Sequence, residues 1–234
     1  MKVYVGTSGW LYDWNEGGDL RWYVEHSGLN SVELNASFYR FPFPGQVKGW
    51  ARVGARLRWA VKVHRSVTHV HRLNERGLEA LSRFLRLFEP MKVLVDFYLV
   101  QMPPTFSRTD ENLERLRGLA RAGGTGVRFA VEFRHESWFS REAAEEVTRL
   151  GLVMVSIDAP IGTYVFSSGG TVYLRMHGRT AWYAHEYSKE ELDEVVRGVL
   201  GLSPSEVYVF FNNDHWMLEN ARYALERFRS LAGV

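Results

Sequence analysis

Short apolar runs recur along this chain, and each closes on a polar or charged cluster. Val3-Tyr4-Val5 runs into Gly6-Thr7-Ser8-Gly9-Trp10, Val32-Glu33-Leu34 into Asn35, Ala60-Val61-Lys62-Val63 into His64, and Phe129-Ala130-Val131-Glu132-Phe133 into Arg134-His135. Later, Val172–Met176 ends in His177-Gly178 and Val207–Phe211 in Asn212-Asn213. β-Branched and aromatic enrichment between turn residues predicts strands over Val3–Thr7, Ser31–Asn35, Arg58–His64, Lys92–Gln101, Val127–Arg134, Leu152–Asp158, Thr171–His177 and Glu206–Asn212. A helical period between them predicts Asp19–His26, Pro44–Val53, Arg76–Phe88, Asp110–Ala122, Ser140–Leu150, Ser188–Leu200 and Trp216–Leu231. Ser140 and Ser188 are expected to cap helix starts, and Gly151 and Gly201 to follow helix ends.

Strands alternating with helices make a parallel sheet, whose ligands gather at the carboxyl ends of the strands. The order predicts an α/β fold, a single (β/α)8 TIM-like barrel domain over residues 1–234, irregular at the sixth β/α unit. There, Ala159–Gly170 carries Pro160, Gly162, Gly169 and Gly170 around Thr163-Tyr164-Val165-Phe166, which reads as a loop or hairpin in place of a helix.

Composition narrows the chemistry. Hydrophobic residues at 46% and charged residues at 24% fit a globular protein with a sizeable core. No apolar stretch reaches membrane-span length and the start enters a strand directly, so the expectation is a cytoplasmic protein without a membrane partner. Cysteine is absent, which excludes thiolate nucleophiles, disulfides and Cys-ligated zinc. The formal net charge is only +2, yet between Glu33 and Glu75 eight basic residues (Arg40, Lys48, Arg52, Arg56, Arg58, Lys62, Arg65, Arg72) meet no acidic one. Aromatic residues interleave with them, a mixture suited to a polyanion or to stacked bases, or to a solvated helix face over an aromatic core.

Glu33 and Glu132 stand out, because a carboxylate inside an apolar strand is costly unless paired or hydrogen-bonded. Both are candidate catalytic acid/base groups, or divalent-metal ligands; the structural alternative makes them ion-pair partners of Lys62, Arg134 or Arg175. Lys62 and His64, Glu132 and Arg134, and Arg175 and His177 are each two apart, which predicts one shared face per pair. His177 is the expected acid/base histidine. Lys62, His64, Arg134, Arg175 and Asn212 are expected to bind the ligand, and the five residues Glu33, Lys62, Glu132, Arg175 and His177 to converge in one pocket.

No His-Glu-x-x-His or comparable spacing specifies a metal, so the cofactor is unknown, with a His/carboxylate-bound divalent metal joined by Asp158 as the form it would take. Gly6-Thr7-Ser8-Gly9 would offer backbone N–H groups to an anion, or simply make a tight turn. Trp10, Tyr12, Trp14, Trp138, Trp182 and Tyr183 fall in predicted loops, where they would stack on a sugar or base or roof the barrel. Trp10 and Trp138 are the chosen ligand contacts.

Taken together, the Gly6–Trp10 run with Tyr12 and Trp14, Val32–Asn35 followed by Phe38-Tyr39, and Lys62 with Thr68-His69 resemble the YecE-like family, domain of unknown function 72. Ala130–His135 with Ser137-Trp138, Tyr173–Gly178, and Phe211-Asn212-Asn213 extend that resemblance over nearly the whole chain. It implies a TIM-like barrel and supplies no reaction. The leading expectation is an enzyme using Glu33, Glu132 and His177 on a phosphate-bearing or polyhydroxylated ligand, a small anionic or sugar-like partner. The alternatives are a nucleic-acid-binding or processing protein akin to endonuclease IV-type barrels, and a non-catalytic small-molecule binder. Oligomeric state is left open.

Overall fold

The computed structural model describes residues 1–233. Its strands are β1 (Lys2–Ser8), β2 (Ser31–Leu34), β3 (Arg58–Lys62), β4 (Val95–Gln101), β5 (Phe129–Glu132), β6 (Val153–Ala159), β7 (Gly162–Tyr164), β8 (Thr171–Met176) and β9 (Glu206–Phe211). Helices are α1 (Leu20–His26), α2 (Pro44–Val53), α3 (Glu75–Leu87), α4 (Asp110–Ala122), α5 (Arg141–Arg149), α6 (Lys189–Gly201) and α7 (Met217–Ala232). Neighbouring strands follow the order β5-β4-β3-β2-β1-β9-β8-β6-β7, with β5 also paired to β6. The fold class is a (β/α)8 TIM-like barrel. At the sixth unit β7 folds back antiparallel on β6 as the expected hairpin. Among the described residues no helix is long and apolar enough to cross a membrane.

The chain divides into two compact units, the first Met1–Glu33, Val53–Arg58 and Val155–Val234, the second Leu34–Arg52 and Trp59–Met154. In the first unit β1 pairs in parallel with β2 and β9, and β8 with β9 and β6. Residues paired across a ladder share a face. The pairs Gly6↔Ser31, Ser8↔Glu33, Tyr4↔Tyr208, Gly6↔Phe210, Tyr173↔Tyr208 and Arg175↔Phe210 therefore place Tyr4, Ser8, Glu33, Tyr173 and Arg175 on one face. Tyr4, Tyr173 and Phe210 pack around Tyr208 and each other on that face, with ring centroids 4.8 Å apart for Tyr4 and Tyr208 and 5.2 Å for Tyr173 and Phe210.

Gly6 is fixed by that close ladder: a Cβ there would lie 2.2 Å from the Ser31 carbonyl oxygen. Ser188 caps α6 in a reciprocal box with Glu191, as its position suggested. Helix α6 runs through Gly201 rather than stopping before it, and Ser203, at φ 50°, takes the left-handed turn instead.

In the second unit α3 buries Gly77, Ala80, Leu81 and Phe84, the i, i+3, i+4, i+7 stripe of an amphipathic helix. Phe84 and Phe88 pack against Tyr98 of β4. Phe106, Phe133 and Trp138 form a second aromatic stack, with Phe133 and Trp138 4.0 Å apart. Strand β4 starts at Val95 rather than Lys92, because Pro90 and its neighbours Glu89–Met91 form a 3-10 turn first. Ser140 caps α5 by accepting from the Ala143 N–H.

Candidate functional site

Five strands, β2, β3, β5, β8 and β9, stop one or two residues earlier than the sequence pattern suggested, and this shortening places the chemistry. β3 ends at Lys62, β5 at Glu132, β8 at Met176 and β9 at Phe211. His64, Arg134, His177 and Asn212 thus lie just past the carboxyl ends of their strands rather than on them. Short turns take over there: 3-10 turns at Ala36–Phe38, Glu136–Trp138 and Asp214–Trp216, and a π-helical turn at Ser66–Val70.

In the first unit the structure brings Glu33, Arg175, His177 and Asn212 together. Glu33 is fully buried. Its carboxylate accepts hydrogen bonds from Ser8 Oγ at 2.8 Å, Tyr173 OH at 2.7 Å, and Arg175 Nε at 3.1 Å and Nη2 at 2.7 Å. The arginine arrives as a bidentate fork, the strongest geometry for this pair. A carboxylate offers about four lone-pair directions, and all are engaged here. Of the three cations the sequence allowed as its partner, the fold selects Arg175.

Beyond the pair, Arg175 Nη1 lies 3.5 Å from His177 Nε2, and His177 Nδ1 lies 3.3 Å from the Asn212 amide. Both ring nitrogens thus have a polar neighbour, Arg175 Nη1 at Nε2 and Asn212 Nδ2 at Nδ1. Trp182 and Tyr183 flank the ring at 5.3 and 5.6 Å. Trp10 is nearly buried, and Asn15 Nδ2 donates to its carbonyl.

Asp158 forms a second buried centre in this unit. It accepts from Thr163 Oγ1 at 2.7 Å, Tyr187 OH at 2.7 Å and Arg179 Nε at 3.0 and 3.3 Å. Burial, and then the Asp158 charge, push the Tyr187 hydroxyl far above its ordinary range, so it stays a proton donor. The metal expectation for Asp158 is not met by its surroundings. Its oxygens are taken by an arginine and two hydroxyls, and among the described residues no group of three or more His, Asp or Glu side chains is placed to hold a metal ion.

The second unit holds Lys62, His64, Glu132 and Arg134. Glu132 is fully buried and lies 2.5 Å from Arg134 Nε, although that N–H is not aimed along a hydrogen bond. Lys62 is nearly buried, with Nζ 4.5 Å from the Phe38 ring centroid, a cation–π contact. The other side of this cluster is His69, whose ring meets the Phe38 edge at 5.0 Å. Burial, and then the charges of Lys62, Arg65, Arg134 and Arg72, hold its proton affinity below the usual histidine value. His64 instead packs on Phe41 at 4.7 Å and pairs with Ser66 Oγ. Burial also lowers its proton affinity.

One expectation changes. Trp138 is core, with no exposed face to stack on a ligand; its Nε1 donates to the Phe106 carbonyl and its ring lies against Phe133. Of the two readings of the Gly6–Gly9 run, the tight turn is the one formed, since Thr7 N–H donates to Tyr23 OH and Gly9 N–H to the Thr7 carbonyl. The residues that sequence reasoning did not select are Ser8, Tyr173, Thr163, Arg179, His185 and Tyr187. Tyr173 was within reach, because the period of two that joins Arg175 to His177 extends back to it.

The family model for DUF72, a protein of unknown function, matches residues 4–233. A DUF72 family protein from Thermotoga maritima MSB8 is similar at 30% identity and a TM-score of 0.81, with 100% of both chains covered. A DUF72 family protein from Enterococcus faecalis V583 superposes with a TM-score of 0.82 at 22% identity, covering 99% of this chain and 96% of its own. A D-tagatose 3-epimerase-like protein shares the fold at a TM-score of 0.63 and 14% identity, with 100% and 98% covered. Among curated proteins nothing matches the chain.

Proposed function

The chain belongs to the DUF72 family, and on that premise we propose that it is an enzyme acting on a small anionic or polyhydroxylated ligand, with His177 as the group that carries the proton. The observation that supports this most is the relay Glu33–Arg175–His177–Asn212, built just past the ends of β8 and β9. Ligands of parallel α/β folds gather at those ends. An imidazole with a polar neighbour at each nitrogen is held in one orientation, and a ligand that takes the place of either neighbour would meet a group able to accept a proton and return it.

Glu33 has a narrower role than free acid or base. Its oxygens are saturated, so it acts through Arg175 as a positioning residue, and Arg175 in turn orients His177. Glu132 does the same for Arg134 in the second unit. An anionic ligand is a separate expectation for the second unit, where the charges of Lys62, Arg65, Arg134 and Arg72 act on His69.

A panel of phosphorylated and free sugars and polyols, screened by thermal shift and followed by NMR for turnover, tests the reading. At least one member should stabilise the protein and be converted. His177→Asn should bind it and lose about 100-fold or more in turnover, the range general acid–base catalysis supplies. A His177→Asn variant as active as the parent would sink the assignment.

A further inference from the structure

His177 has 0% exposure, although it stands beyond the end of its strand. What covers it is a loop of the same unit, residues 178–187. Trp182 and Tyr183 at its centre lie against the imidazole, and the Tyr183 N–H donates to the His177 carbonyl at 2.7 Å. That centre is exposed and strained: Thr180, Ala181, Tyr183 and Ala184 are exposed, and Tyr183 sits at φ 67°, a left-handed conformation that costs a bulky residue energy.

The stems are held tightly: Asn220 and Asn213 bond the far one, Glu191 and Glu194 pair with Arg179 in the near one, and Asp158 reaches both. Asp158 takes Arg179 at the start of the loop and Tyr187 at its end on the same carboxylate, while its main-chain carbonyl accepts from the His177 N–H at 2.7 Å. Tyr187 OH also accepts from the Gly178 N–H at 2.8 Å. Gly178, at φ 103°, turns the chain where a Cβ would lie 2.6 Å from His185 Cβ and 2.7 Å from the Ala181 carbonyl. His185 ties the loop once more, with Nδ1 3.0 Å from Thr180 Oγ1 and Nε2 3.2 Å from Glu191 Oε2.

We propose that residues 178–187 are a lid over His177, latched at both stems by Asp158, whose exposed centre lifts to admit the ligand and closes to exclude water. The proposal rests on His177 being the proton carrier. Strong stems with an exposed, strained centre are the arrangement expected of a segment that opens locally while its ends stay in register. Closure would place the Trp182 and Tyr183 rings on the ligand as well as on the imidazole, which favours a ligand with an apolar face, such as a sugar ring.

Diethyl pyrocarbonate labelling of the full chain, read by peptide mass spectrometry, measures how often His177 is uncovered. His26, whose side chain is 57% exposed, serves as the internal reference. In the parent protein His177 should label far more slowly than His26. Trp182→Ala with Tyr183→Ala should speed it about tenfold or more with the His26 rate unchanged, as removal of a locally opening cover requires. Asp158→Asn, and the milder Tyr187→Phe, should each raise amide hydrogen exchange across 179–187 while leaving α7 protected.

Labelling of His177 as fast as His26 in the parent, or unaltered by the double substitution, would overturn the lid. Unchanged exchange in a folded Tyr187→Phe protein would overturn the latch. Neither readout uses turnover. An active His177→Asn variant with labelling of the parent as described would therefore remove the proton carrier and leave the lid standing.

Discussion

Two buried glutamate–arginine pairs, one in each unit, solve the same problem in different ways. Glu132 is served by Arg134, two residues on, just past the end of the same strand. Glu33 is served by Arg175, 142 residues away, with Ser8 and Tyr173 completing its shell. The local pair forms wherever β5 forms, and its poorly directed contact shows how little a two-residue separation can adjust. The remote pair forms only when β1, β2 and β8 are in register, and it closes as a directed fork. An ion pair made across 142 residues reports on the fold; one made across two does not.

Removing Arg175 should therefore have the largest effect. Arg175→Met leaves Glu33 as a buried charge with two hydroxyls, and breaking a pair of this kind costs about 3–5 kcal/mol. Chemical denaturation should show a midpoint lowered accordingly, with loss of cooperativity if registry depends on the pair. A variant within about 1 kcal/mol of the parent would mean that Glu33 is not fixed by Arg175.

The local pair sharpens the contrast. Glu132→Gln keeps an acceptor beside Arg134 and should retain more stability than Glu132→Leu, which strands a guanidinium whose side chain is 9% exposed. The gap between the two variants should be about 1–3 kcal/mol, the desolvation cost of an orphaned buried donor. Equal unfolding midpoints would show that Arg134 finds full compensation elsewhere, and the two pairs would then differ in kind as well as in reach.

Most helices and the order of the strands were legible in the sequence, because periodicity and caps are local: Pro44–Val53 and Asp110–Ala122 stand at the expected bounds. The hairpin after β6 was legible from its glycines. What was not legible is long-range. Glu33 had three eligible cations, and only the ladder register decides among them. Asp158 stood as the carboxylate that would join a metal, because nothing in a sequence reveals that Arg179 and Tyr187, 21 and 29 residues on, return to it. Gly6 was open to an anion or a tight turn, and only the ladder shows that its space belongs to the Ser31 carbonyl. Trp138 follows a strand as a ligand-stacking residue would, yet the 3-10 turn at Glu136–Trp138 folds it inward onto Phe133.

The smallest expected effect tests whether the positive charge gathered in the second unit acts on His69. His69 titrates below the ordinary histidine value in the folded state, first through burial and then through Lys62, Arg65, Arg134 and Arg72. Because folding lowers the affinity for the proton, the unfolded chain binds more protons, and stability is retained above a pH of about 6.5 and lost as the pH falls toward the folded value. Ring-carbon NMR of His69 should place its midpoint below the ordinary histidine value. Lys62→Met should raise it only in part, since burial is the larger cause and three other cations remain. Added phosphate should raise it too, by neutralising the same field. A His69 midpoint at the ordinary value in the parent, or one that neither Lys62→Met nor phosphate moves, would show that no cationic field acts there, and the anionic part of the ligand reading would have lost its support.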